Sequence, residues 1–397
     1  PIEIRAERVT VDGTSLRFSD ATSGSLKSTP SSAPAFSSLT AATGSFTPVT
    51  GYYVGGGALA GQVYGTEASG LRLATAAEFA IPSAMVLSNG AGQGRFPIRA
   101  GTDGADGLTP LSPTEVRAVL EEAFTIMSRA RAQIRRPLDS RAQVSITVVD
   151  SRGQILGIVR SPDAPVFGID VSAQKARSAT LFSATFAATE LAADPSADVR
   201  GFVQKTRDFF ADPQALTGKT AFGVRTIGNL ARPYYPDGEV GRPNGPLSRP
   251  ISQWSPLSTG LQSALIIGNI AQHLGFVTGA SATDTPAVCT FLPQVAPGQN
   301  RLQNGLQIFP GGVPIFRGGR MVGGIGVSGD GIDQDDMISF LGTHNGALRV
   351  GGISNAALAI RADTLVVGPA APARLRYVGC PFAPFLDTTD QNACQGK

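Results

Sequence analysis

The fold is decided by residues 308–341, IFPGGVPIFRGGRMVGGIGVSGDGIDQDDMISFL. Gly311, Gly312 and Pro314 predict an irregular loop, and Arg317-Gly318-Gly319-Arg320 predicts a tight reversal. Met321 to Val327 is a run of small and apolar residues suited to a buried strand, which Ser328-Gly329-Asp330-Gly331 ends. Beyond it Ile332, Met337, Ile338 and Leu341 fall near helical spacing, with acidic residues in the first turn where the helix dipole favours them.

Upstream, Leu111-Ser112-Pro113-Thr114-Glu115 starts a helix, with Ser112 as N-cap, Pro113 at the first helical position and Glu115 closing a capping box. Its apolar stripe, from Val116 to Ile134, carries the helix to about Arg136, where Pro137 stops it. Two β-branched runs follow, Val144–Val149 and Ile155–Val159, separated by Asp150-Ser151-Arg152-Gly153; they predict an antiparallel hairpin in one sheet with Met321–Val327. A second helix, capped by Asp170, carries the thin face Ala173, Ala176, Ala179 and Thr180, open to close backbone approach. Residues 183–306 form a long Pro-rich insertion with short helices at 199–210 and 260–273, and such insertions commonly serve as lids or interfaces. Residues 1–107 are rich in Ser, Thr, Gly and Ala, with short β-type runs, and need another surface to order against. That surface is expected to be a neighbouring subunit, with the chain's own α+β domain as the alternative.

The composition narrows the function classes. The chain has 397 residues, enough for two or three domains, and a net charge of +3 with no basic run, which does not point to nucleic acid. The longest apolar segment, Leu261–Ile270, is too short and too interrupted to span a membrane. The start at Pro1 suggests a processed product and hence export. Cys380 and Cys394 in a Pro- and Thr-rich tail predict a disulfide, as in extracellular or periplasmic proteins, and Cys289 is left over, expected as a buried thiol.

Gly324, Gly326 and Gly329 match a G-x-G-x-x-G spacing, but Asp330, Asp333, Asp335 and Asp336 crowd the place a pyrophosphate would occupy. Close packing of a glycine-rich strand explains the glycines better, and solvation of a helix start explains the aspartates better than calcium. No nucleophile elbow, zincin or triad spacing is visible. His273 and His344, the only histidines, are the residues able to ligate a metal or haem iron.

Together, LSPTEV (111–116), VSITVVDSRGQILGIVRSPDA (144–164), IDVSAQKARSATLFS (169–183) and GGVPIFRGGRMVGGIGVSGDGIDQDD (311–336) resemble the GlcG/HbpS-type haem-binding family, whose domain is also appended to PduO-type proteins. The resemblance covers residues 108–182 and about 308–342. It implies an α+β fold, an antiparallel sheet flanked by helices, here within a domain at 108–345 interrupted by the insertion, between a β-rich N-terminal segment and a tail at 346–397. It further implies a symmetric oligomer and a site for haem or a related tetrapyrrole bordered by Lys175, Arg177, Gly311, Gly312, Pro314, Gly326, Ser328 and Gly329. Lys175 or Arg177 would meet the propionates, and the glycines would let a flat ring approach backbone. The reading is an exported haem-binding protein, beside redox proteins; the alternative is a ligand-free structural subunit of an extracellular or periplasmic assembly.

Overall fold

The computed structural model describes residues 8–11, 14–17, 62–292, 294–297 and 299–397. It divides into two units, residues 1–59 and residues 60–397. In the first, β1 (Arg8–Val11) and β2 (Thr14–Arg17) pair as an antiparallel hairpin. The remainder of that unit lies outside the described residues, and with it about half of the segment expected to contact a neighbour.

The second unit is built on a six-stranded antiparallel sheet in the order β3-β4-β6-β5-β10-β9. Its strands are β3 (Leu71–Leu73), β4 (Met85–Leu87), β5 (Ser145–Asp150), β6 (Ile155–Arg160), β9 (Gly312–Arg317) and β10 (Arg320–Ser328). Short pairs β7 (Gln294–Ala296) with β8 (Gln299–Asn300), and β11 (Val366–Val367) with β12 (Ala373–Arg374), lie outside it. The expected hairpin is present, with Ile146 opposite Val159 and Thr147 opposite Ile158, and β10 pairs with β5 in the same sheet. The reversal is also present: Arg317 faces Arg320 across Gly318 and Gly319, both at positive φ, as a two-residue hairpin turn requires. The segment Gly312–Arg317, expected as a loop, is instead a strand. It tolerates Pro314 because it is the last strand of the sheet, where a missing amide leaves no ladder bond unmade.

Seven α-helices occur among the described residues. Helix α1 (Pro113–Arg129) starts with the expected capping box between Ser112 and Glu115. It stops seven residues before Arg136, since Ala130 pairs with Phe385 and Arg131 with Arg141, leaving Ile134 exposed. Helix α2 (Gly168–Phe182) begins before Asp170, which lies in its first turn and does not cap it. Helix α7 (Ile332–Val350) carries His344 within its length. Helices α1 and α7 pack on each other and on one face of the sheet, around Val119, Ala123, Ile146, Val148, Ile325 and Ile338. Helix α2 covers the other face, joined at β9 by Val224 of the insertion, which lies against Gly312.

The insertion is more ordered than its proline content suggests. It carries α3 (Ala187–Ala192), α4 (Ala197–Phe210), α5 (Val224–Leu230) and α6 (Leu261–Val277), packed with Leu181 and Phe182 of α2 into an apolar core of their own. The tail joins both cores, through Leu375 in the insertion core and Tyr377 and Phe385 in the sheet core. Its expected Cys380–Cys394 disulfide is present. Cys289, expected buried, is exposed, because the 278–292 segment that carries it runs over the surface of the insertion.

Candidate ligand cleft

The sequence-predicted border residues gather around one line of contact, where α2 lies on β10. Thr147 of β5 bonds Ser172 of α2 at 2.7 Å, and on the same sheet face Gly324 and Gly326 present bare backbone to the helix. A Cβ on Gly326 would stand 2.5 Å from the Ala176 amide nitrogen and inside contact distance of the Ser172 carbonyl oxygen. The space that these glycines leave is therefore filled by α2 itself, and no flat ring enters. Gly312 and Pro314 sit opposite Gly326 and Gly324 on β9, while Ser328 and Gly329, at the end of β10, pack against the start of α2 and the 143–145 segment.

Lys175 is sealed in the same contact. Its ammonium donates to the Val327 carbonyl at 2.7 Å and to the Asp335 carboxylate at 2.9 Å, and both side chains are almost wholly buried. Burial pushes the Asp335 carboxyl up to about 6, with Lys175 pulling the other way. Beside it the Asp336 carboxylate, also raised by burial, accepts from the Gly311 and Gly379 amides and pairs with Arg225 of α5. These aspartates were expected to be solvated at a helix start. They are buried ion-pair partners instead, tying α7 to α2, α5 and the tail. Among the described residues no group of three potential ligands converges as a metal site.

Arg177 is placed differently. Two residues further along α2, it donates from Nε to the Gly153 carbonyl at 2.8 Å and from Nη1 to Asn304 Oδ1 at 2.6 Å, and it lines an open cleft. The cleft has two adjoining hollows of about 470 and 240 Å³ that share Arg95, Phe96, Ile155 and Arg177. Ile158 and Ile169 line the smaller hollow, and Arg99 the larger one, donating to the Ile155 carbonyl at 2.8 Å and to Gln154 Oε1 at 2.7 Å. Arg95 lies over the Phe96 ring with its guanidinium 5.6 Å from the ring centre. Among the described residues none of the three arginines forms an ion pair, and the one carboxylate in the cleft, Asp170, accepts from Asn304. Burial lowers Arg177 to about 10, opposed by Asp170, so it remains a charged donor near neutrality.

Arg95 and Arg99 escaped the sequence reading, which treated their segment as irregular polar chain. The available signal was local: Arg95-Phe96-Pro97-Ile98-Arg99 brackets an aromatic with two cations. The histidines lie elsewhere. His273 of α6 holds Asp284 through Nδ1 at 2.8 Å, and His344 of α7 sits half-buried on the helix covering the opposite face of the sheet. Burial first, then Lys397 and Arg361, lowers its pKa.

A six-stranded antiparallel sheet with helices on both faces and a basic, apolar-walled cleft at one side defines an α+β domain with a candidate ligand cleft. The family model described as haem degrading protein HbpS-like matches residues 119–225 and 267–342 of it. Several solved structures align with the chain, among them two whose names are informative. A PduOC–haem complex is 14% identical with a TM-score of 0.25, covering 62% of this chain and 94% of the other. The Klebsiella pneumoniae protein ORFY is 16% identical with a TM-score of 0.26, covering 66% and 97%. Superpositions so loose transfer no residue from either structure. No curated relative matches the chain.

Proposed function

We propose that this chain is an exported binding protein for haem or a related tetrapyrrole, which it takes in the cleft formed by residues 95–99, β6, α2, residue 297 and residues 299–304. The observation that carries this reading is the convergence of Arg95, Arg99 and Arg177, none paired with a carboxylate among the described residues, on a hollow walled by Phe96, Ile155, Ile158 and Ile169. Haem fits this donor set by its organic part: the guanidinium forks suit its two propionates, and the aromatic and branched side chains suit the face of its ring. The bound group would supply redox-active iron. This chain's residues bind and orient the carboxylate edge and exclude water from the apolar face. A haem-associated family supports the same ligand class.

Titration with haemin, followed by the Soret band, tests the reading. Arg177→Gln removes one charge-assisted pair, of about 1.5–3 kcal/mol, and so weakens binding by about ten- to a hundred-fold. Wild-type protein without saturable haemin binding sinks the proposal. The Cys380–Cys394 disulfide supports an extracellular or periplasmic location, where a redox protein is the natural companion of a haem carrier. No helix among the described residues is long and apolar enough to cross a membrane. The alternative, a structural subunit of a homo-oligomer or larger assembly, is favoured by one feature: α6 exposes Ile267, Ile270 and Leu274 along one face. Sedimentation of the purified protein with and without haemin separates the two, since the structural reading requires an assembly indifferent to ligand.

A further inference from the structure

Resting on that reading of the cleft, we infer that it recognises the carboxylate-bearing edge and the flat conjugated ring of its ligand and not a metal, so that a metal-free porphyrin or another planar dicarboxylate of that shape is bound as well as haem. The residues lining the two hollows are three arginines, glutamines, an asparagine, one aspartate and apolar side chains; none is a histidine, methionine, tyrosine or cysteine. Those four are the side chains that hold haem iron.

Histidine, methionine and cysteine are scarce in the whole chain, with two, four and three residues, all nine among the described residues; of the six tyrosines, Tyr64, Tyr234, Tyr235 and Tyr377 are described and none of them lines either hollow. His273 is engaged by Asp284 on the insertion helix, and His344 lies across the sheet from the cleft. Met85, Met127, Met321 and Met337 are buried in apolar cores. Cys380 and Cys394 are bonded to each other. Met85 packs behind the cleft wall with Leu87 and Ile158 without lining either hollow, and Cys289 lies at the rim, where its amide bonds the carbonyl of Gln303. Its thiol is held protonated by partial desolvation and by Asp170, the opposite of what a thiolate ligand needs. Specificity then rests on the spacing of Arg95, Arg99 and Arg177 and on the slot beside Phe96, features to which iron contributes nothing.

The test is a set of parallel titrations of the full chain with haemin, iron-free protoporphyrin IX and its dimethyl ester, read by Soret absorbance and porphyrin fluorescence. Haemin and the iron-free ring are expected to bind within about threefold of each other, and the ester at least about tenfold more weakly, the loss of one charge-assisted contact. Cys289→Ser and the double variant His273→Ala/His344→Ala are expected to keep haemin affinity within about twofold. Iron-free porphyrin binding more than about tenfold below haemin, or a loss of that size in either variant, overturns the inference while leaving haem binding intact. An ester that binds as well as the free acid overturns the carboxylate half of it. Failure of every ring to bind overturns the cleft reading as well, a result distinct from all of these.

Discussion

Gly326→Ala probes the contact that closes the sheet under α2. The added methyl meets two backbone atoms, the Ser172 carbonyl oxygen and the Ala176 nitrogen at 2.5 Å, and the Lys175 Cβ at 3.0 Å. Backbone cannot rotate aside as a side chain can, so α2 must retreat by about 1 Å to restore ordinary contact distances. That retreat loosens the Thr147–Ser172 bond and the seal around Lys175 and Asp335. Overpacking of a well-filled contact costs about 1–3 kcal/mol, and a clash with backbone on the helix side places this change at the upper end, about 3 kcal/mol. The matched control is Gly268→Ala in α6, where an added methyl meets open space and a helix interior gains about 1 kcal/mol. Equilibrium unfolding in urea, compared by midpoint at unchanged slope, reads both. Gly326→Ala as stable as wild type would refute the argument that the glycines serve helix packing, and would reopen that line of contact to a ligand.

Other outcomes follow from the same physics. Lys175→Met leaves Asp335 buried without its partner and costs about 3–5 kcal/mol near neutrality. Asp335 titrates near 6 when folded and near its ordinary value when unfolded, so the folded state binds the proton more tightly and this group's contribution to stability falls as pH rises from about 4 to 6. The variant should accordingly recover part of its loss at pH 5, and urea midpoints at pH 5 and 7.5 that shift equally would contradict this. Reducing the Cys380–Cys394 bond, which closes a separation of 14 residues, should cost about 3 kcal/mol by the chain-entropy argument, read by unfolding with and without reductant. Ser112→Ala removes the side-chain half of the α1 capping box and should cost about 1 kcal/mol by the same assay.

The parts of the fold legible in the sequence were those set by local chemistry. Ser112, Pro113 and Glu115 announce α1, Gly318-Gly319 announces the β9–β10 turn, and alternating β-branched residues announce β5 and β6. Strand β9 was hidden because Gly312 and Pro314 oppose strand formation on average, and only its place as the last strand of the sheet makes them acceptable. The order of the insertion was hidden for a different reason. Its core joins residues as distant as Leu181, Leu302 and Leu375, which no local pattern connects. The carboxylates of α7 looked solvated because Lys175 and Arg225, which neutralise them, lie more than a hundred residues earlier. Of the border residues read from the sequence, Arg177 alone reaches the cleft; Arg95 and Arg99 approach it from the irregular segment after β4 and share no motif with it.

Amide hydrogen exchange of the whole chain with and without haemin tests the central claim most directly, because it locates the ligand without altering a residue. Binding in the arginine cleft should slow exchange in peptides covering residues 95–99, 153–155 and 299–304, with little change at 311–314 and 326–329, which α2 already seals. Protection concentrated at 311–314 and 326–329, with the cleft peptides unchanged, would contradict the account and return the site to the glycine-rich contact beneath α2.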